Sequence, residues 1–150
     1  MIWLGRSLDG DDDTDGHVDN VARFARLGVV LAQTCRDTAD PNHAISQDNL
    51  ARLRSATDNT GRQLEVIEIE QPTRREQDGR RLPLSYMNFY LANGAVIAPV
   101  FDDANDAAAL ATLARAFPGR EIVPVKATTL YAGGGGIHCI TQQQPDPRRG

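Results

Sequence analysis

The chain carries one short pattern twice, and this repetition constrains its fold more than any other feature. Residues 28–32 (GVVLA) find a counterpart much later in residues 94–98 (GAVIA). Apolar runs of this length, rich in β-branched residues, predict buried strands. Each run precedes a polar loop, a helical pattern and a further strand pattern. We therefore expect an α/β chain with two units of one kind, each built of strand, strand, helix and strand.

The helix of the first unit is expected to begin near Ser46, a residue type that favours helix N-caps. Ile45 and Leu50 stand at the spacing of a hydrophobic staple, and residues 59–61 (NTG) end the helical pattern. A strand at residues 64–69 is expected to complete the unit.

The second unit has a helix that opens within residues 103–106 and ends at Pro118-Gly119. A strand is predicted next, at residues 121–125. Its internal proline favours an edge position in the sheet, because proline cannot donate to a neighbouring strand.

The remaining segments frame these units. Residues 86–91 are expected to form a strand that pairs with the second apolar run across the Asn93-Gly94 turn. Residues 71–84 form a long charged loop, of the kind that is often functional or mobile. Residues 1–4 resemble the end of a further unit, and residues 139–144 the start of another.

Composition narrows the classes of function. The chain has 150 residues, which indicates one domain, and its net charge of −4 argues against a nucleic-acid surface and favours a cationic ligand. The apolar start is too short for a signal peptide or a membrane span. Two distant cysteines suit a reducing compartment. We expect a cytoplasmic protein without nucleic-acid or membrane partners.

Cys139 is the strongest candidate for chemistry. It follows a run of four glycines and precedes a polar Thr-Gln run, whereas a structural cysteine usually sits among apolar residues. Glycine lets the backbone come close to a substrate. His17, two residues before Asp19, could supply the base and the charged partner that a reactive thiol needs. The alternative is a small buried side chain.

Other polar residues have simpler interpretations. Cys35 and His43 lack metal-ligand spacing and are taken as structural, and His138 is expected to point away from Cys139 in an extended backbone. The acid run from Asp11 matches several positions of a calcium-binding EF-hand loop, but Ala22 stands where a bidentate Glu is required. A calcium module therefore remains a remote alternative, beside a plain solvated acidic turn.

Three separate motifs resemble the agmatine deiminase family, which belongs with the bacterial-type peptidylarginine deiminases in the guanidine-modifying superfamily. The likeness spans nearly the whole chain in the right order. Its motifs, after the short Trp3-Leu4 match, are residues 13–24 (DTDGHVDNVARF), residues 85–90 (SYMNFY) and residues 133–145 (GGGGIHCITQQQP).

The resemblance implies a partial pseudo-fivefold α/β propeller (pentein) built of ββαβ units, in agreement with the repeat. This chain is expected to supply about two blades plus incomplete ends. Residues 1–150 are then the C-terminal portion of a single deiminase domain, with the N-terminal blades absent. Open blade edges and uncovered apolar faces favour self-association or a partner.

The resemblance also implies the roles of individual residues. Cys139 is the nucleophile, His17 the acid and base, and Asp19 a catalytic carboxylate that holds the guanidinium. The substrate-binding positions are Asp19, Asp13, Gly135 and Gly136. The family usually has Asn in place of Gly136, which changes the local contacts of this chain.

The implied reaction is the hydrolytic deimination of agmatine to N-carbamoylputrescine and ammonia, through a cysteine-linked thiouronium, as a step towards putrescine. It needs no metal and no cofactor. Two alternatives stay open: peptidyl-arginine as the substrate, and a catalytically inactive fragment or subunit that requires the missing blades.

Overall fold

The structure is a computed structural model that describes residues 1–12 and 16–144. Four α-helices, eight strands and one 3₁₀ helix lie in these ranges. In chain order they are α1 (Val18–Val21), β1 (Ala22–Arg26), β2 (Val29–Thr34), α2 (Pro41–Ser55), β3 (Glu65–Glu70), β4 (Glu76–Gln77), β5 (Arg80–Arg81), β6 (Tyr90–Ala92), β7 (Ala95–Val100), α3 (Asp106–Ala116), β8 (Glu121–Lys126), α4 (Thr128–Ala132) and the 3₁₀ helix His138–Ile140.

The predicted repeat is confirmed in the backbone. In each unit the first two strands pair antiparallel and the strand after the helix pairs parallel with the second, giving the sheets β1-β2-β3 and β6-β7-β8. Gly28 and Gly94 occupy matching turns with φ of +74° and +77°. Their carbonyls accept equivalent hydrogen bonds of 2.9 Å from the amides of Glu65 and Glu121. A side chain would be strained at both glycines.

Helix α2 begins earlier than the sequence analysis expected. Its N-cap is Asp40, whose carboxylate accepts a hydrogen bond of 2.9 Å from the amide of Asn42, and Pro41 is the first helical residue. Asp is favoured as an N-cap because its carboxylate accepts a hydrogen bond from an otherwise unpaired amide of the first turn, and Pro is favoured next because it has no N–H to leave unpaired. Ser46 lies inside the helix, where its hydroxyl donates to the carbonyl of His43 at 2.9 Å. The helix also ends earlier than expected, at Ser55.

Several expected strands are shorter or absent. Strand β6 covers only Tyr90–Ala92, because residues 85–89 are buried on all sides as irregular backbone. Residues 139–144 form no strand, since Cys139 lies in the 3₁₀ helix, and residues 1–4 form none either. The loop at 71–84 contains the short β4-β5 hairpin. The edge position expected for the proline-containing strand β8 is confirmed.

One apolar core joins the two units. It contains three rings in contact, with the centroid of Phe101 at 5.5 Å from that of Tyr86 and 5.4 Å from that of Tyr131. Aromatic pairs of this geometry contribute about 0.5–1.5 kcal/mol beyond the area they bury. A second, smaller core lies between α2 and the first sheet. The rings therefore fix α4, and the glycine run after it, against the second unit.

Among the described residues, no helix combines the length and the apolar character needed to cross a membrane.

Candidate active site

Cys139 lies in a tight turn at the end of the glycine run. Helix α4 ends at Ala132 and is capped by Gly133, and Gly134 turns the chain with a φ of +92°. The 3₁₀ helix His138–Ile140 then presents Cys139, an exposed free cysteine, to the surface. The thiol is therefore accessible, and the alternative of a small buried side chain does not hold for Cys139.

Asp19 meets this turn from the opposite end of the chain. Its Oδ2 lies 3.9 Å from Cys139 Sγ and 2.6 Å from His138 Nδ1. The expectation that His138 points away from the site is wrong, because residues 138–140 are helical and not extended. In a 3₁₀ turn successive side chains are about 120° apart, so both His138 and Cys139 can face one carboxylate.

Asn88 completes the contacts of the thiol, and the sequence analysis missed it. Its side-chain Nδ2 lies 3.4 Å from Cys139 Sγ and donates to Asn20 Oδ1 at 2.9 Å. Its Oδ1 accepts the His138 amide at 2.8 Å. Asn88 is fully buried. The feature of the sequence that could have identified it is an amide side chain inside an otherwise mainly apolar and aromatic run. Buried amides of this kind need partners and often organise a site.

Gly136 lies against Asn88. A Cβ built on Gly136 would come within 2.2 Å of Asn88 Oδ1, far closer than any real contact. Neighbouring Gly135 adjoins the nucleophile turn, since its Cβ would lie 3.2 Å from Cys139 Cβ. The glycines thus allow the loop to close onto Asn88 and Cys139.

His17 is held by Asp11. Its Nδ1 lies 2.8 Å from Asp11 Oδ1, and its amide donates to Asp11 Oδ2 at 3.0 Å. Burial raises the pKa of the Asp11 carboxyl, but hydrogen bonds from Ser7 and His17 outweigh it, so the pKa lies below its usual value. Asp11 therefore stays ionised and orients the imidazole, a role that the sequence analysis did not assign to it. Asp13, an expected substrate-binding residue, lies outside the described residues.

A cleft of about 320 Å³ places His17 and the glycine loop on one concave surface. Its walls include Asp11 and His17 from the start of the chain and Gly134 and Gly135 from the end. Tyr131 also lines it. Burial, and then electrostatic interactions with Cys139 and Asp19, raise the pKa of Tyr131, so its phenol stays protonated and donates to the Ser85 carbonyl at 2.9 Å.

The other cysteine has no place in this site. Cys35 is 1% exposed. Burial, followed by the negative charge of Asp40, raises the pKa of its thiol to about 11. His43 Nδ1 lies 2.7 Å from the Cys35 carbonyl. These contacts agree with the structural roles expected for both residues.

No cluster of three or more metal-ligating side chains occurs within residues 1–12 and 16–144. Asp11, the first position of the EF-hand match, uses its carboxylate on Ser7 and His17. Asp15, like Asp13, falls outside the described ranges.

The sequence profile of the Porphyromonas-type peptidyl-arginine deiminases matches residues 1–145 of the chain. The chain belongs to this family. This match confirms the family resemblance that the sequence motifs indicated.

The chain has relatives of greater length. A Streptomyces avermitilis protein is 49% identical over 149 residues, with 96% of this chain and 43% of that protein covered. The agmatine deiminase of Medicago truncatula is 44% identical over 165 residues, and the match covers 97% of this chain and 44% of that protein. The solved structure of Enterococcus faecalis agmatine deiminase superposes with a TM-score of 0.91 at 37% identity, and the match covers 96% of this chain and 44% of that one. The chain thus spans less than half the length of the curated relatives it matches.

Proposed function

We propose that this chain carries the nucleophile and the acid-base group of a guanidine deiminase, with Cys139, His17 and Asp19 as the catalytic residues. The observation that carries the proposal is the contact between Cys139 Sγ and Asp19 Oδ2, 3.9 Å apart, at the mouth of a turn built from glycine. A carboxylate at this distance from a thiol suits a substrate that is both a cation and an electrophile.

A guanidinium is such a substrate. It stays protonated at neutral pH and offers planar N–H donors to a carboxylate. Each charge-assisted hydrogen bond of this kind is worth about 1.5–3 kcal/mol. Asp19 would hold two guanidinium nitrogens, and the positive charge placed beside Sγ favours the thiolate form of Cys139.

The reaction then proceeds in two halves. The thiolate of Cys139 attacks the central guanidinium carbon, a C–S bond forms, and one C–N bond breaks while His17 protonates the departing ammonia. His17 next removes a proton from water, which attacks the S-linked thiouronium carbon. The C–S bond breaks, the hydroxyl proton of the tetrahedral intermediate passes to solvent and is matched by the ammonia leaving as ammonium, a neutral ureido product leaves, and the thiolate is regenerated. Water supplies the oxygen, and no electrons are transferred.

The first half requires a proton donor oriented towards the leaving group. Since Asp11 engages Nδ1 of His17, proton transfer falls to Nε2. Asn88 supports the thiolate, because its Nδ2 is a donor 3.4 Å from Sγ. The glycine positions 135 and 136, together with Asp13, are the further substrate-binding positions of the proposal.

Agmatine is the substrate we propose, with N-carbamoylputrescine and ammonia as products and putrescine synthesis as the process. The support comes from relatives named agmatine deiminase. Peptidyl-arginine is the second candidate, favoured by the description of the family itself. Both substrates share the guanidinium that Asp19 and Cys139 would engage. Two free cysteines suit the reducing cytoplasm as the location.

The proposed architecture is a pseudo-fivefold propeller in which residues 1–150 supply two ββαβ blades and incomplete ends, as the C-terminal portion of one deiminase domain. A chain of this kind by itself could be inactive until other blades cover it. Large apolar side chains at its surface favour this alternative and favour association: Trp3 is 75% exposed, Phe24 56% and Leu27 87%.

Ammonia release tests the proposal. The full chain, alone and mixed with a chain covering the remaining length of its relatives, is assayed with agmatine and with an arginine-containing peptide. We expect release that Cys139→Ala abolishes, and release surviving this substitution would reject the assignment. Activity that appears only in the mixture would show that the chain is a subunit that needs the remaining length. Faster release from the peptide than from agmatine would make peptidyl-arginine the substrate. Size-exclusion chromatography reports association.

A further inference from the structure

His138 and Asp19 form the shortest polar contact at the nucleophile turn, and the proposed mechanism gives His138 no role. The 2.6 Å bond between Nδ1 and Oδ2 joins residues 119 positions apart. The His138 side chain is 31% exposed and that of Asp19 is 18% exposed. A contact this short between partly buried groups is a charge-assisted hydrogen bond.

The same carboxylate oxygen faces the nucleophile. Asp19 Oδ2 contacts both His138 Nδ1 and Cys139 Sγ, the latter at 3.9 Å. Each carboxylate oxygen has two acceptor sites, so His138 leaves one site on Oδ2 and both sites on Oδ1. A hydrogen bond at Oδ2 also restricts rotation of the carboxylate about its C–C bond.

The backbone that carries the imidazole of His138 is held by two hydrogen bonds. The backbone amide of His138 donates to Asn88 Oδ1 at 2.8 Å. Its carbonyl accepts from Thr141 Oγ1, also at 2.8 Å. Because His138 belongs to the same 3₁₀ turn as Cys139, its bond to Asp19 ties helix α1 to the nucleophile.

We propose that His138 is a positioning residue that orients Asp19 for the guanidinium. Its Nδ1–H donates to Oδ2 and sets the plane of the carboxylate relative to Cys139 Sγ, so that a guanidinium bound at Asp19 has its carbon within reach of the thiolate. This inference rests on the proposed function, because it assigns Asp19 to the cation. It requires His138 to act as an orienting donor and not as a cation that competes with the substrate.

Alkylation of Cys139 tests this without turnover. The full chain is treated at neutral pH with neutral iodoacetamide and with a cationic haloacetamidine, and the Cys139 peptide is quantified by mass spectrometry. The ratio of the two rates measures how well Asp19 places a cation at the thiol. We expect His138→Ala and Asp19→Asn each to lower the ratio about tenfold, the size of effect that one charge-assisted hydrogen bond supports. The rate with iodoacetamide should change little in His138→Ala.

A rescue variant separates positioning from general damage. The amide nitrogen of Asn can occupy the place of the histidine Nδ1, so His138→Asn is expected to recover the ratio to within about threefold of the wild type. Ile140→Gln is the matched control, since Ile140 flanks Cys139 on the other side and is 68% exposed. This control should keep the wild-type ratio.

The outcomes distinguish the two proposals. A wild-type or higher ratio in His138→Ala, with the ratio still lowered in Asp19→Asn, overturns the role of His138 and leaves the proposed function intact. Failure of His138→Asn to rescue also overturns that role. An unchanged ratio in Asp19→Asn overturns the cation-binding role of Asp19 and with it the proposed function as stated.

Discussion

Asn88 and Cys139, 51 positions apart, meet with 3.4 Å between the side-chain Nδ2 of one and Sγ of the other. The same amide bonds Asn20 and the His138 backbone. One buried side chain thus connects the second unit, the segment before β1 and the nucleophile turn.

Truncation of Asn88 should therefore affect both stability and reactivity. Asn88→Ala removes the 2.9 Å bond to Asn20 Oδ1 and the 2.8 Å bond from the His138 amide, and leaves only longer contacts, from Tyr131 Oη at 3.4 Å and to the residue 88 carbonyl at 3.2 Å. This loss is expected to cost about 1–3 kcal/mol in the free energy of unfolding. Urea unfolding measures this cost, and iodoacetamide labelling of Cys139 should slow. Asn59→Ala, at an exposed position, should change stability by less than about 0.5 kcal/mol. Equal effects of the two substitutions would contradict the assigned role.

A side chain added at Gly136 should disturb the nucleophile turn of this chain, although the family usually has Asn there, because Asn88 occupies the space that the side chain would need. In Gly136→Ala the Cβ must displace Asn88 Oδ1, which it would otherwise approach to 2.2 Å. We expect destabilisation of about 1–3 kcal/mol from overpacking, together with altered labelling of Cys139. Gly133→Ala is the matched control, because its Cβ would make only a close contact of 3.3 Å with the Leu130 carbonyl, which a shift of a few tenths of an ångström relieves. The prediction fails if Gly136→Ala is as stable and as reactive as the wild type.

A buried ion pair should make stability sensitive to acid. Arg81 Nη1 and Nη2 bond the two Asp40 oxygens at 2.7 and 2.8 Å, and both side chains are almost fully buried. Burial raises the pKa of Asp40, but Arg81, Asn42 and Gln71 outweigh it, so the folded-state pKa lies below the usual value. This contribution to stability is present above the unfolded pKa of about 4 and is lost as the pH falls through the folded pKa.

Arg81→Met tests that pair. The substitution leaves a buried carboxylate without its cation and should lower the free energy of unfolding by about 3–5 kcal/mol at pH 7. The deficit should shrink at pH 3, where Asp40 is protonated in the unfolded chain. Lys126→Met removes an exposed pair with Asp102 and should cost less than about 1 kcal/mol at either pH. A deficit independent of pH would argue against an ionic role for Arg81.

The two thiols should differ in reactivity. Under native conditions near pH 7.5 we expect iodoacetamide to modify Cys139 only, because Cys35 is buried and burial raises the pKa of its thiol to about 11. Intact mass spectrometry should show one adduct on the folded chain and two after urea unfolding. Cys139→Ser should abolish native labelling, and modification of Cys35 in that folded variant would contradict the prediction.

Local patterns in the sequence were sufficient for the repeated unit. Apolar runs, the Asn93-Gly94 turn and Pro118-Gly119 specify strands and ends through backbone preferences that act within a few residues. The early start of α2 was also encoded locally, in Asp40 and Pro41, and was overlooked in favour of Ser46. The local sequence could not show that residues 86–89 form no strand, because a short apolar run has the same pattern in a strand and in buried irregular backbone.

The sequence by itself determined the ββαβ repeat, the candidate cysteine after glycine and, through its motifs, the family, whereas the exposure of that cysteine is a finding of the structure. Only the tertiary structure decided that Asp11 holds His17, that His138 turns towards Asp19, and that Asn88 reaches Cys139. The physical reason is the distance along the chain over which each kind of interaction acts. Propensity, turns and capping act between near neighbours, whereas these contacts join elements whose approach depends on how the two units pack around a common core.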